Sequence, residues 1–250
     1  MNALYKYTLR IADDSLILGQ RLSEWCGHGP IIEEDIAMTN ISLDLIGQAL
    51  SLYEYAASID GKGKTADDLA FLRYENQYYN TQLVEQTNGD FSKTMVRQWL
   101  FDSFRVPFYE ALQHSEDMQL AAIAEKSLKE TKYHLKHSSE WIIRMGDGTE
   151  ESKHRVEKSL NYMWKFADEM FYMDEVDQTL LNEGIAVDLE KIRAEFMKRV
   201  KLVLDEATLE TPQPKKSFFC QGRIGKHSEH MGHLLAEMQY MQRAYPNMEW

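Results

Sequence analysis

Apolar residues in this chain recur with the period of a helix. From Glu33 onward, Ile36, Thr39, Leu43, Ile46, Leu50, Tyr53 and Ala57 step by threes and fours, which sets them on one stripe of a long helix over 33–58. The preceding segment, 4–26, carries Leu18, Leu22 and Trp25 on one face and stops at Gly27-His28-Gly29-Pro30, the residue types that terminate helices. So short a loop makes the two helices antiparallel neighbours. A second pair follows over 92–115 and 117–145, with Val96, Trp99, Leu100, Phe104, Phe108 and Leu112 on the first helix and Leu120, Ala124, Leu128, Leu135, Ile142 and Met145 on the second. Pro107 falls inside the first, where its missing amide predicts a kink rather than an end.

Between the pairs, 60–91 opens with Gly61-Lys62-Gly63-Lys64, closes with Asn88-Gly89-Asp90 and encloses a shorter helix expected over 67–83. Two helical hairpins joined by one long crossover is the connectivity of a ferritin-like bundle. The expected fold is therefore all-α and ferritin-like, with additional C-terminal helices within 151–244, around 151–172, 188–208 and 228–244. No Pro- or Gly-rich linker parts two cores, and 44% apolar content over 250 residues is enough for one domain over 1–250.

A net charge of -12 opposes non-specific binding to nucleic acid or to an anionic membrane, since both repel an acidic protein. Asp13 and Asp14 interrupt the stretch where a signal peptide would be apolar, and no apolar run reaches the length of a membrane span. Cys26 and Cys220 lie far apart and form no Cys-x-x-Cys motif, as suits reduced thiols in a cytoplasm.

A ferritin-like di-metal oxidase draws a carboxylate from each of two helices and Glu-x-x-His from each of the other two. Residues three apart share a helix face, so one carboxylate bridges the metals while the imidazole caps one. Such a spacing occurs at Glu151-Ser152-Lys153-His154, in a charged stretch after Gly146-Asp147-Gly148 that reads as a solvated helix start. Where the motif should fall, the second helix offers Asp44-Leu45-Ile46-Gly47 and the fourth offers Glu130-Thr131-Lys132-Tyr133. Gly47 and Tyr133 stand where the imidazoles belong, so these are degenerate slots, and no metal ligand or catalytic residue is assigned. His134 lies one residue, or about 100°, out of register. His137 could share a face with Glu130, either as an unusual metal site or as part of a helix whose polar residues pair among themselves. If Asp44 and Glu130 face inward without a metal, they must pair with Tyr, Arg, Lys or His.

His227, His230 and His233 form the densest histidine cluster, but their spacing differs from His-Glu-x-x-His. Adventitious metal binding competes there with helix capping and with contacts between subunits. The segment from Thr211 to Lys226 gathers Lys215, Lys216, Arg223 and Lys226 in an otherwise acidic chain. It is either a contact for an anionic phosphate, such as that of coenzyme A, or for a partner, or a solvated loop. No nucleophile elbow, Walker A, dinucleotide, flavin or iron–sulfur motif occurs.

Several blocks in order resemble one family: YTLRIADDSLILGQRLSEWCGHGP (7–30), NISLDLIGQA (40–49), LVEQTNGDF (83–91), KETKYHLKHSSEW (129–141), NEGIAVD (182–188) and HSEHMGHLLAEMQYMQR (227–243). Together they resemble the C subunits of the bacterial ring-1,2-phenylacetyl-CoA epoxidases, nearly end to end. Pro107 and the stretch from Lys215 to Cys220 are less typical. The resemblance implies a structural, metal-free subunit of a cytoplasmic multicomponent oxygenase. Its partner would be a homologous catalytic A subunit that holds the di-iron centre and epoxidises the aromatic ring, with further components supplying electrons. Two other readings are a ferritin-like oxidase active on its own, which the degraded ligand motifs oppose, and a stand-alone helical scaffold or binding module.

Overall fold

The computed structural model describes residues 2–213, 220–246 and 248. Among them the regular elements are helices, with one isolated bridge between Gln221 and Lys226, and no helix is long and apolar enough to cross a membrane. The chain gathers into two compact units, Met1–Thr87 with Cys220–Trp250, and Asn88–Phe219.

The first unit is built on α1 (Ala3–Ser23) and α2 (Ile32–Asp60). Asn2 caps α1 by accepting the Leu4 amide at 2.9 Å. The turn between the helices is held by Asp35, whose carboxylate accepts the amides of Gly29 at 2.8 Å and Gly27 at 3.1 Å. Those bonds hold its pKa below the usual carboxylate range. A Cβ on Gly29 would lie 2.7 Å from the Asp35 backbone, so only glycine fits. The Ser42 hydroxyl donates to the Gly19 carbonyl at 2.8 Å and the Tyr53 hydroxyl to Asp13 at 2.6 Å, which makes the helices antiparallel and closely packed.

The core face of α2 is Met38, Ile41, Leu45, Leu52 and Ala56. Of the stripe read from the sequence, Tyr53 joins this core face, but Ile36, Leu43 and Leu50 point the other way and are 55%, 62% and 47% exposed. This helix is apolar on two faces, and the described residues cover one of them.

The crossover also differs from expectation. A capping box between Thr65 and Asp68 starts α3 (Ala66–Phe71), but the helix expected over 67–83 ends at Phe71. Beyond it come buried Arg73, a 3₁₀ turn, Glu75–Gln77, and then irregular chain in which Asn80, Thr81, Glu85 and Gln86 are buried. The amides of Tyr79 and Thr81 are donated to Asp13 and Asp14 of α1, bonds that a continuing helix would have kept for itself. The C-terminal helix splits likewise, into α9 (Glu229–Met238) and α10 (Tyr240–Ala244). At the break, buried Gln239 donates to the Arg73 carbonyl and the Tyr78 hydroxyl, both at 2.9 Å.

The second unit centres on α4 (Phe91–Leu112) and α5 (Met118–Gly146), capped by Asp90 and Asp117. Phe91 meets Trp141 edge-on at 4.9 Å, and Glu110 pairs with Lys132 at 3.3 Å, so these helices are antiparallel too. Helix α4 continues through Pro107 to Leu112 and is buried nearly all round, as expected of a central helix. Around it lie α6 (Glu150–Met163), which passes into a 3₁₀ run over Trp164–Phe171, then α7 (Glu175–Asn182) and α8 (Leu189–Glu206).

Gly146 closes this unit where α5 meets the chain after α8: an added Cβ would sit 2.4 Å from the Ala207 carbonyl oxygen. Gly146→Ala is expected to lower stability by about 1–3 kcal/mol, read as an earlier midpoint in urea unfolding.

Candidate functional site

In the second unit the buried face of α5 carries Ser127, Thr131, His134 and Ser138, spaced by four, three and four. Facing them, α4 presents Asp102, fully buried. Its Oδ1 accepts from Gln98 Nε2 at 2.7 Å and its Oδ2 from the Ser138 hydroxyl at 2.9 Å. Burial pushes this carboxyl up to about 7, the nearby His134 and the two hydrogen bonds offsetting only part of the cost.

This geometry shifts the register read from the sequence by one residue. Tyr133 is 55% exposed, with its ring stacked on His137, and Glu130 is half-buried. The inward pair three residues apart is Thr131 and His134, both buried. A search keyed to carboxylates starts at Glu130, one residue or about 100° off the inward face. At that spacing the inward face therefore offers a hydroxyl and an imidazole rather than a carboxylate and an imidazole. On α2 the Asp44 and Gly47 slots are half-buried and lie towards the outer side, while the inward residues at that spacing are Ser42 and Leu45.

Among the described residues of the first unit three carboxylates are fully buried, Asp13, Asp14 and Glu85, and each has a cationic partner in place. Asp13 is clasped by both terminal nitrogens of Arg73 and also accepts the Tyr53 hydroxyl at 2.6 Å and the Tyr79 amide at 2.7 Å. The guanidinium lies 4.1 Å from the Tyr78 ring centroid; burial opposes its charge, but Asp13 outweighs burial and raises its pKa. Asp14 accepts the Thr81 amide at 2.8 Å and pairs with Arg223 at 3.0 Å. Glu85 accepts the Ser228 amide at 2.6 Å and lies 2.8 Å from His227 Nδ1. The other ring nitrogen of His227 is 3.0 Å from the Tyr78 carbonyl. Both partners of that ring are acceptors, so the geometry calls for the doubly protonated imidazolium. Burial opposes the charge, but the bond to Glu85 and its charge prevail and raise the pKa.

The remaining sequence candidates disperse. Arg223 belongs to the buried Asp14 pair and is absent from any surface patch, because an unpaired buried carboxylate is costlier than an exposed arginine. Lys226 is exposed, and its carbonyl accepts from Gln82 at 3.0 Å. Lys215 and Lys216 lie outside the described residues. His227 anchors Glu85, His230 is half-buried with its carbonyl bonded to Arg21, and His233 is exposed. Glu151 and His154 are exposed on α6, where Glu151 pairs with Arg155 at 2.7 Å. Cys26 and Cys220 are free thiols. Among the described residues no three His, Cys, Asp or Glu side chains converge as a metal requires. A two-metal carboxylate centre does not fit this donor set: the acids of α1 are held by guanidinium groups, and α5 has a hydroxyl where the ligand motif needs a carboxylate.

A helical protein of ferritin-like fold, with the buried acids of α1 paired to arginines, is the class that fold and side chains define. Its fold is that of a Synechococcus protein with aldehyde deformylating oxidase activity, at a TM-score of 0.56 with 16% identity over 84% of this chain and 94% of that one. All of residues 1–250 match the family described as phenylacetic acid catabolic protein. The chain belongs to that family. It is 46% identical, over the full length of both chains, to the C subunit of the 1,2-phenylacetyl-CoA epoxidase of Escherichia coli (strain K12).

Two variants test the buried charges. Arg73→Met strands Asp13 and is expected to cost about 3–5 kcal/mol in denaturant unfolding. For Asp102 the folded pKa is raised from 3.8 to about 7, so the folded state holds a proton that the unfolded chain has released. Stability therefore falls as pH rises through that window and levels off above it. Asp102→Asn is expected to remove this slope, gaining on the order of 4 kcal/mol over wild type by pH 8 relative to pH 4; parallel pH–stability curves would refute the assignment.

Proposed function

We propose that this chain is the structural, non-catalytic subunit of a cytoplasmic multicomponent epoxidase that acts on the aromatic ring of phenylacetyl-CoA, and that it supports a homologous catalytic A subunit. The observation that carries this reading is what lines the inward faces, Thr131 beside His134 on α5 and Asp13 and Asp14 paired with arginines, a donor set better suited to internal bonds than to a di-metal centre. Full-length identity of 46% to the C subunit of such an epoxidase supports it independently. In this reading the di-iron group resides in the A subunit and supplies the activation of dioxygen. This chain contributes rigidity: its acids are compensated internally, so its helices keep their shape with no cofactor of their own and present a fixed surface to the partner.

The test is metal content and turnover of phenylacetyl-CoA, with reductase supplied, for the chain alone and for the chain co-expressed with the A subunit. Iron and epoxide formation are expected only in the complex. Near-stoichiometric iron with activity in the isolated chain would replace this reading with that of an independent oxidase.

A further inference from the structure

The outward face of α2 is apolar over a long distance, and among the described residues of its own unit Ile32, Ile36, Leu43 and Leu50 stay exposed while Ile46, at the edge of that face, leans onto Gly19 of α1. Ile32, Ile36, Leu43 and Leu50 are 71%, 55%, 62% and 47% exposed, and Thr39 and Ile46, half-buried, complete a stripe at alternating steps of three and four. From Ile32 to Leu50 the stripe runs about 27 Å at the rise of a helix. Scattered exposed aliphatics are ordinary, but a continuous stripe marks an interaction surface.

Two further observations define what covers it. Gly47 interrupts the stripe in mid-helix, and a Cβ there would meet nothing within 4 Å. Glycine destabilises a helix interior relative to alanine, and no contact among the described residues calls for it. A notch between Leu43 and Leu50 permits the close approach of another backbone. The second observation is charge. Between Ile32 and Asp60 there is no Lys, Arg or His, whereas Glu33, Glu34, Asp35, Asp44, Glu54 and Asp60 are all acidic, and Glu33 and Glu54 are exposed beside the stripe. Two copies of α2 meeting face to face would set acid against acid in a chain already at -12, which like-charge repulsion disfavours.

We infer that the outer face of α2 is the docking surface for a helix of a non-identical subunit, with an apolar stripe seated along Ile32–Leu50, its backbone close to Gly47, and lysine or arginine residues flanking the stripe. This rests on the subunit reading above and names the surface that would serve it.

The test uses the full-length chain with the epoxidase A subunit. Gly47→Gln and Leu43→Glu change only outward positions, so each is expected to fold with a Tm at or near that of wild type, Gly47→Gln at or above it. Both are expected to weaken assembly at least tenfold, and salt is expected to slow association of the wild type. Amides of residues 36–50 should gain hydrogen-exchange protection in the complex. Assembly of both variants with wild-type affinity, while wild type also assembles, would overturn the α2 assignment and leave the subunit reading standing. Failure of wild type itself to assemble would overturn both. Loss of self-association as the sole defect of the variants would identify a second copy as the occupant and overturn the inference.

Discussion

The pairing of Asp13 with Arg73 is the interaction on which the first unit depends. Helix α1 buries two adjacent acids, and a buried carboxylate without a partner costs several kcal/mol. The partners come from far along the chain: Arg73 and the Tyr79 amide from the crossover, Arg223 from the C-terminal segment. To deliver them the crossover abandons helix after Phe71, and the segment after Cys220 folds back onto α1. His227 and Gln239 then secure that return, one on Glu85 and the other on the Arg73 carbonyl and the Tyr78 hydroxyl. Segments from opposite ends of the chain are thus joined by charge compensation as well as by apolar packing.

The second unit handles a buried acid differently. Asp102 has hydrogen-bond donors in Gln98 and Ser138 and His134 nearby, but no arginine clasps it. Burial consequently raises its pKa to about 7. Thr131 and His134 occupy the inward face at ligand-motif spacing, and the hydroxyl of Thr131 donates to the Ser127 carbonyl at 2.8 Å. One unit answers buried charge with guanidinium groups and an imidazole, the other with amide and hydroxyl donors and a raised carboxyl pKa.

Helix α2 connects internal chemistry to assembly. Its inner face is fixed by Ser42 against Gly19 and by Tyr53 on Asp13, so the orientation of its outer stripe follows from the same contacts that neutralise α1. A surface set in this way is preorganised for docking, which reduces the ordering cost of association.

Composition and periodicity by themselves determined the helical class, both hairpins and the long crossover, because a period of three and four residues, caps and glycine stops are local properties of the chain. They also showed that the paired Glu-x-x-His motifs are missing. Only the tertiary structure decided which faces are inward. It turned Leu43 and Leu50 to solvent, moved the inward register from Glu130 and Tyr133 to Thr131 and His134, and buried Arg223 against Asp14. Periodicity defines a stripe but cannot tell which of two apolar stripes meets the core. Partners for a buried charge are likewise chosen by proximity in space, and Arg73 and Arg223 lie 60 and 209 residues from the acids they neutralise.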